Sequence, residues 1–146
     1  MSSNQTLILD AIDARMAVLL PNHKRLDYSY ELEKNSSRSD DSWGAGAGSA
    51  DWATGVTRAV TLDSNFFVVI GNKFTNRSND NSEITALKEV YDNIETVFLD
   101  FASSKLGIPS TVLVVESLTL DEPEKIGKNI ISVKANFIVK HRKQTT

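Results

Sequence analysis

The feature that most constrains the fold is a one-sided apolar stripe between residues 82 and 105. Apolar side chains recur there in steps of three and four, as in an amphipathic helix: Ile84, Leu87, Val90, Tyr91, Ile94, Val97, Phe98 and Phe101. Ser82 can cap the start of this helix, and Gly107 can end it in a left-handed conformation. About three heptads is short for a coiled coil, so we expect the helix to lie across a sheet.

A second helix and several strands surround this element in the sequence. The helical spacing of its apolar side chains predicts a short amphipathic helix over residues 5–19: Leu7, Ile8, Ala11, Ile12, Met16 and Leu19. Alternating apolar and polar side chains predict strands in four segments: 24–33, 56–74, 111–120 and 131–139. The segment 56–74 is interpreted as one strand or as two, because Asp63-Ser64-Asn65 can form a turn or a bulge.

The order of these elements predicts an α+β fold, because runs of strands alternate with only two helices. We expect an antiparallel or mixed sheet of four to five strands covered by the two helices. A chain of 146 residues is of ordinary length for one domain. Residues 1–146 are therefore predicted to form a single domain.

The segment 34–55 is predicted to be one long polar loop. It contains no Val, Ile, Leu or Phe, although most connections span about 4–6 residues. Both tryptophans of the chain lie in it. They either tuck back onto the domain surface or anchor a protein interface, where Trp and Arg are enriched. The candidate interface residues are Trp43, Trp52, Gly44, Gly46, Gly48 and Arg38.

Composition argues against several classes of protein. The chain has no cysteine and two histidines, which disfavours disulfides, thiolate chemistry and transition-metal sites. Its formal net charge of −3 is not typical of a protein that binds nucleic acid. Its longest apolar runs fall well short of the roughly 20 residues of a membrane-spanning helix, and no signal peptide is recognisable. We expect a protein made in a cytosol.

No motif of the sequence predicts catalysis. The glycines of Gly44-Ala45-Gly46-Ala47-Gly48-Ser49 match neither the dinucleotide fingerprint nor a P-loop. His23 and His141 have no obvious nucleophile as a partner, and both are predicted to be surface side chains. We therefore expect no catalytic residue, no cofactor, no metal and no enzymatic activity.

The element order resembles that of the tail terminator proteins of long-tailed bacteriophages, the lambda-type rings that cap a tail tube. Four parts carry the resemblance: the helix at 7–19, the segment 61–70 leading into a long strand, the helix at 83–101, and a C-terminal hairpin with an acidic turn that ends in residues 131–140. It covers nearly the whole chain and contains no invariant motif.

The resemblance implies a structural virion protein, assembled in the host cytoplasm and located in the phage tail or neck. Such a subunit forms a homo-oligomeric ring, commonly a hexamer, through a head-to-tail contact that closes on itself. Its partners would be itself, the tail tube protein and the head-side connector. Genomic DNA would pass through the lumen without specific binding, because acidic side chains there repel it.

Two alternatives stay open. The long loop at 34–55 departs from the lambda-type pattern, which keeps other phage neck or head-completion proteins in consideration. In the second alternative, the chain is a monomeric binding module that captures a ligand or peptide with the same loop.

Overall fold

A computed structural model of the chain describes residues 3–25, 41–51, 61–74, 82–126 and 129–142. The two helices are α1 (Asn4–Leu19) and α2 (Ser82–Ser104), and a short 3-10 helix (Lys105–Gly107) follows α2. The strands are β1 (Lys24–Arg25), β2 (Ser42–Asp51), β3 (Thr61–Lys73), β4 (Val112–Leu120), β5 (Glu124–Ile126) and β6 (Ile130–Arg142).

These strands form one mixed sheet in the order β1-β2-β3-β6-β4. β1 runs parallel to β2, and the remaining pairs are antiparallel. β4 and β5 lie end to end along the same side of β6, since Leu120 pairs with Ala135 and Glu124 with Ser132. The predicted α+β fold with two helices on a mixed sheet is confirmed, and the described residues contain six strands in place of the expected four to five.

β3 and β6 are the long central strands of the sheet. Their pairing runs without a register shift from Thr61 with Arg142 to Lys73 with Ile130. β3 is therefore one strand from residue 61 onward, and the irregularity near Ser64 lies in β2, between Ala47 and Ala50. The predicted strand at 24–33 is seen as β1, and its remainder at 26–33 lies outside the described residues.

The prediction of a loop over 34–55 is wrong for residues 42–51, which form β2. Alanine and glycine have little β-propensity of their own, which is why the segment resembled a loop. β2 is instead held by its ladder with the apolar strand β3, where Trp43 pairs with Ile70 and Ala45 with Val68. Residues 34–40 and 52–55 lie outside the described residues.

Both helices cover the same face of the sheet and enclose the main core. Phe66, Phe101 and Phe137 are among its largest buried side chains, together with Trp43. The ring centroid of Phe137 lies 5.6 Å from that of Phe101 on α2 and 6.4 Å from that of Phe66 on β3. Aromatic pairs at these separations add to the stability that burial provides.

Residues in the left-handed backbone conformation occur at two positions beside this core. After α2 the backbone turns through Leu106 (φ 58°) and Gly107 (φ 75°), which places the Leu106 side chain in the core. In β4, Ser117 has φ 60° at a register shift between Glu116 and Thr119. A bulge of this kind interrupts the ladder and discourages another strand from adding to this edge.

Candidate functional site

Trp43, one of the predicted interface residues, belongs to the core. Its side chain is 2% exposed, and the guanidinium carbon of Arg25 lies 5.6 Å from the ring centroid. The alternation of β2 directs this ring to the helix side of the sheet, together with its pairing partner Ile70. The ring is therefore not available to a partner, whereas Trp52 and Arg38 lie outside the described residues.

Gly44, Gly46 and Gly48 alternate with the core residues of β2, so they lie on the sheet face away from the helices. At Gly46 a Cβ atom would lie 2.4 Å from Cζ of Phe67, whose side chain is 6% exposed. The Nζ atom of Lys134 is 4.3 Å from the centroid of the Phe67 ring. Gly46 therefore makes room for a packed aromatic ring, a role that the sequence alone did not reveal.

His141 is fully buried, which corrects the prediction of a surface side chain. β6 extends to Arg142, so His141 lies within the sheet beside the start of α1. Its Nε2 atom is 2.9 Å from Oγ of Ser64, and its Nδ1 atom is 3.3 Å from Nδ2 of Asn4. The same amide of Asn4 donates a hydrogen bond to the backbone carbonyl of Arg142.

The Ser64–His141 pair has the spacing of a nucleophile and its base, yet it is sealed within the protein. Ser64 is 2% exposed and His141 is 0% exposed, so a substrate has no route to the hydroxyl. Burial lowers the pKa of His141 from its ordinary value, while its hydrogen bond to the Arg142 carbonyl and the charge of Asp63 act in the opposite direction. The neutral imidazole is therefore favoured, and it connects α1 to two strands.

His23 lies in a polar cleft of about 460 Å³ at the C-terminal end of α1. Its Nε2–H group donates to Oδ1 of Asn72 over 3.1 Å, and Nδ2 of Asn72 donates to Oε2 of Glu89 over 3.0 Å. Asp41 and Asp92 also line the cleft. This arrangement can accept hydrogen-bond donors from a polar ligand, and it contains no side chain poised as a nucleophile.

In the part of the chain that the structure describes, no three side chains of the His, Asp or Glu type lie close enough together to hold a metal ion. No helix in the same ranges is long and apolar enough to cross a membrane.

An exposed apolar surface runs between α2 and the edge strand β4. Helical spacing places part of α2's apolar stripe on the flank that faces β4, where Phe98 and Leu118 line the same small gap. Leu120 pairs with Ala135, so its side chain lies on the helix side of the sheet. We call this surface the seam, and it consists of Ile84, Leu87, Tyr91 and Phe98 of α2 with Leu118 and Leu120 of β4.

The seam has the composition of an association surface. Ile84, Tyr91 and Leu120 remain 56%, 36% and 41% exposed. A salt bridge of 2.9 Å between Lys125 and Glu83 closes one end of it. Large apolar side chains rimmed by charges are typical of protein interaction sites. The sequence already indicated an exposed apolar flank on α2, because its apolar stripe includes side chains beyond those that the core covers.

Comparison with known sequences adds nothing to these geometric observations. No protein-family model matches the chain, and no curated protein matches it.

Proposed function

We propose that this chain is a structural subunit of a phage tail terminator, which forms a ring at the head-proximal end of the tail tube. The ring would end tube growth and join the tail to the head. It would be built from copies of this chain, commonly six, and would contact the tail tube protein on one side and the head-side connector on the other. The protein would act in the virion and would have no catalytic role.

The observation that carries this proposal is the exposed seam between α2 and β4. Ile84, Tyr91 and Leu120 leave apolar surface exposed along this flank, and contiguous apolar surface rimmed by charges is typical of association sites. The bulge at Ser117 interrupts β4, so side chains rather than strand addition would form the contact. The fold contains the helix α1, the long strand β3, the helix α2 and the C-terminal strands on which the resemblance rests, with β2 and β5 in addition.

The negative charge of the chain fits a ring that surrounds DNA. With a formal net charge of −3 per subunit, six copies would present an acidic assembly to the DNA backbone. Like charges repel, so DNA would pass without adhering. We expect the lumen to be lined by acidic side chains.

The direct test is the oligomeric state of the purified protein. Sedimentation velocity from micromolar to near-millimolar concentration should show a closed oligomer, and negative-stain electron microscopy should show rings. Addition of the protein to growing tail tubes of the same phage should narrow their length distribution. A strict monomer at every concentration, with no effect on tube length, would overturn the proposal.

Two other functions remain as outcomes of this test. A ring that binds the head connector but leaves tube length unchanged would indicate another neck or head-completion protein. A strict monomer would favour a binding module, for which the polar cleft beside His23 offers a specific site. The binding loop predicted at 34–55 does not form over residues 42–51, which belong to β2.

A further inference from the structure

A small buried polar cluster holds the start of α1 against the sheet. Asn4 is 8% exposed; its Nδ2 group donates to the backbone carbonyl of Arg142 and lies 3.3 Å from Nδ1 of His141. On the other side of the ring, Nε2 of His141 is 2.9 Å from Oγ of Ser64. Nδ1 is itself 3.3 Å from the Arg142 carbonyl oxygen. One amide group, one ring nitrogen and one carbonyl oxygen therefore meet at a single point.

The cluster is fully satisfied by the neutral imidazole that carries its proton on Nε2. Nε2–H then donates to Ser64, and the two N–H groups of the Asn4 amide serve Nδ1 and the Arg142 carbonyl. A proton on Nδ1 places two donors 3.3 Å apart and offers the carbonyl a donor in place of Asn4. Turning the amide over brings no relief, because Oδ1 would then face the carbonyl oxygen.

The first turn of α1 has little else to hold it. Among residues 4–7, Asn4 is the buried side chain, and Leu7 faces solvent on the same exposed side of the helix as Val18. The first fully buried apolar side chain of α1 is Ile8, and the salt bridges of α1 lie nearer its C-terminal end. Loss of the Asn4 contacts can therefore free the first turn while the rest of α1 stays on the sheet.

We infer that this cluster is a pH-sensitive switch: a proton taken up by His141 displaces Asn4 from the Arg142 carbonyl and frees the first turn of α1. The sheet keeps its form, because His141 and Arg142 stay in their ladder with β3. The inference does not depend on the proposed ring, since every group of the cluster belongs to one copy of the chain.

The groups around His141 set the pH at which the switch acts. Burial lowers the pKa of His141 and is the largest influence on it; the Arg142 carbonyl and the charge of Asp63 on β3 act in the opposite direction. On β4, the residue that pairs with His141 is the neutral Val112. Lys140 and Arg142 of β6 direct their charges to the other sheet face. The group that α1 brings to the ring is a neutral amide, so the ring is neutral near pH 7 while α1 is in place.

The test is amide hydrogen exchange at pH 7.5 and 5.5, corrected for the intrinsic effect of pH on exchange. The N–H groups of residues 7–9 report on the first turn, because they bond to the carbonyls of residues 3–5. Their protection should fall about tenfold at pH 5.5, because a released imidazole with the ordinary pKa of 6.5 is then about ten times more often protonated than neutral.

Low concentrations of urea separate release of the first turn from unfolding of the whole chain. Release of one turn exposes little surface, so exchange of residues 7–9 should not respond to urea. Exchange of the buried α2 amide of Ile94 should accelerate with urea, because it requires exposure of the core.

Asn4→Asp is the most informative variant. Its carboxylate repels the Arg142 carbonyl while His141 is neutral and accepts a hydrogen bond once the ring is protonated. Residues 7–9 should therefore be better protected at pH 5.5 than at pH 7.5, the reverse of the unsubstituted chain. A negative charge at the first residue of α1 suits the helix dipole, so the variant should fold. His23→Gln is the matched control, since it removes the other histidine of the chain and should leave the tenfold change intact.

Four results would each overturn the inference. Protection of residues 7–9 could be equal at both pH values, or could respond to urea as Ile94 does, which would mean that the proton acts through global unfolding. Asn4→Asp could keep the pH response of the unsubstituted chain, or His23→Gln could abolish it. None of these results bears on the proposed ring, which sedimentation tests separately.

Discussion

The two helices of this protein lie on the same sheet face, but their orientation has different causes. α2 has one buried face, formed by Ala86, Val90, Ile94, Val97 and Phe101. Charged side chains occupy much of its opposite face, so the observed rotation about its axis buries the centre of one continuous apolar stripe. α1 is apolar on two sides, so hydrophobic burial alone does not decide which side faces the sheet.

Polar contacts select the buried side of α1. Asn4 is buried at its start and bonds to the β6 backbone beside His141. Arg15 donates to Asp100 of α2 through two nitrogens, with Nε 2.9 Å from Oδ2, and Arg25 approaches Asp13 to 2.9 Å. These contacts form only when Ile8, Ile12 and Met16 face the core. In α1, polar groups therefore supply specificity where the apolar pattern is ambiguous.

The largest change in the free energy of unfolding is expected when a core side chain of α2 is removed. Phe101→Ala should lower the free energy of unfolding by about 3–5 kcal/mol, because it leaves a cavity beside Phe137. Val18→Ala on the exposed side of α1 should change it by no more than about 0.5 kcal/mol in the monomer. Urea denaturation of both variants at low concentration measures this contrast, and similar losses would contradict it.

The next effect concerns the polar anchor of α1. Asn4→Ala should lower the free energy of unfolding by about 1–3 kcal/mol, because the part-buried Arg142 carbonyl loses the donor that ties α1 to β6. Gln5→Ala is the matched control, since Gln5 reaches Ser64 only at 3.4 Å. Its cost should stay within about 0.5 kcal/mol. An equal loss of unfolding free energy in the two variants would show that Asn4 is not the contact that orients α1.

A lower pH should weaken the contacts of buried His141 that hold the start of α1 against the sheet. Burial lowers the pKa of His141 below its ordinary value of 6.5, so the unfolded chain binds a proton that the folded chain resists. The contribution of neutral His141 is therefore complete above about pH 6.5 and is lost as the pH falls toward its folded-state pKa.

The measurement compares urea unfolding of the unsubstituted chain and His141→Gln at pH 7.5, 6.5 and 5.5. The stability advantage of the unsubstituted chain should shrink at each acidic step, because glutamine does not titrate. A constant difference across this range would show that His141 does not couple folding to protonation.

The smallest effect concerns the start of α1. The Ser3 hydroxyl accepts a hydrogen bond of 3.2 Å from the backbone N–H of Thr6 and caps the helix. Ser3→Ala should cost about 0.5–1 kcal/mol, and Ser3→Asp should retain the cap. Thermal unfolding of the two variants measures the difference. Equal melting temperatures would indicate that α1 is held by its tertiary contacts without help from its cap.

Much of the fold was predictable because it depends on local periodicity. The apolar steps of three and four around Val90 and Ile94 predicted α2, and the apolar–polar alternation around Val133 and Phe137 predicted β6. The interface residues were less predictable. The sequence left open whether Trp43 packs onto the domain or anchors an interface, because its neighbours in the chain are small and polar, whereas Ile70 across the ladder places it on the core side of the sheet.

The sequence by itself determined the α+β class, both helices and the central strands, because each depends on neighbours within a few positions along the chain. Only the tertiary structure decided that the glycine-rich segment forms β2, that His141 is buried, and which side of α1 faces the sheet. Those outcomes depend on Phe67, Ser64 and Asp100, which lie tens of positions away from the segments they orient. A local pattern contains no information about such partners, because burial and hydrogen bonding follow from proximity in space.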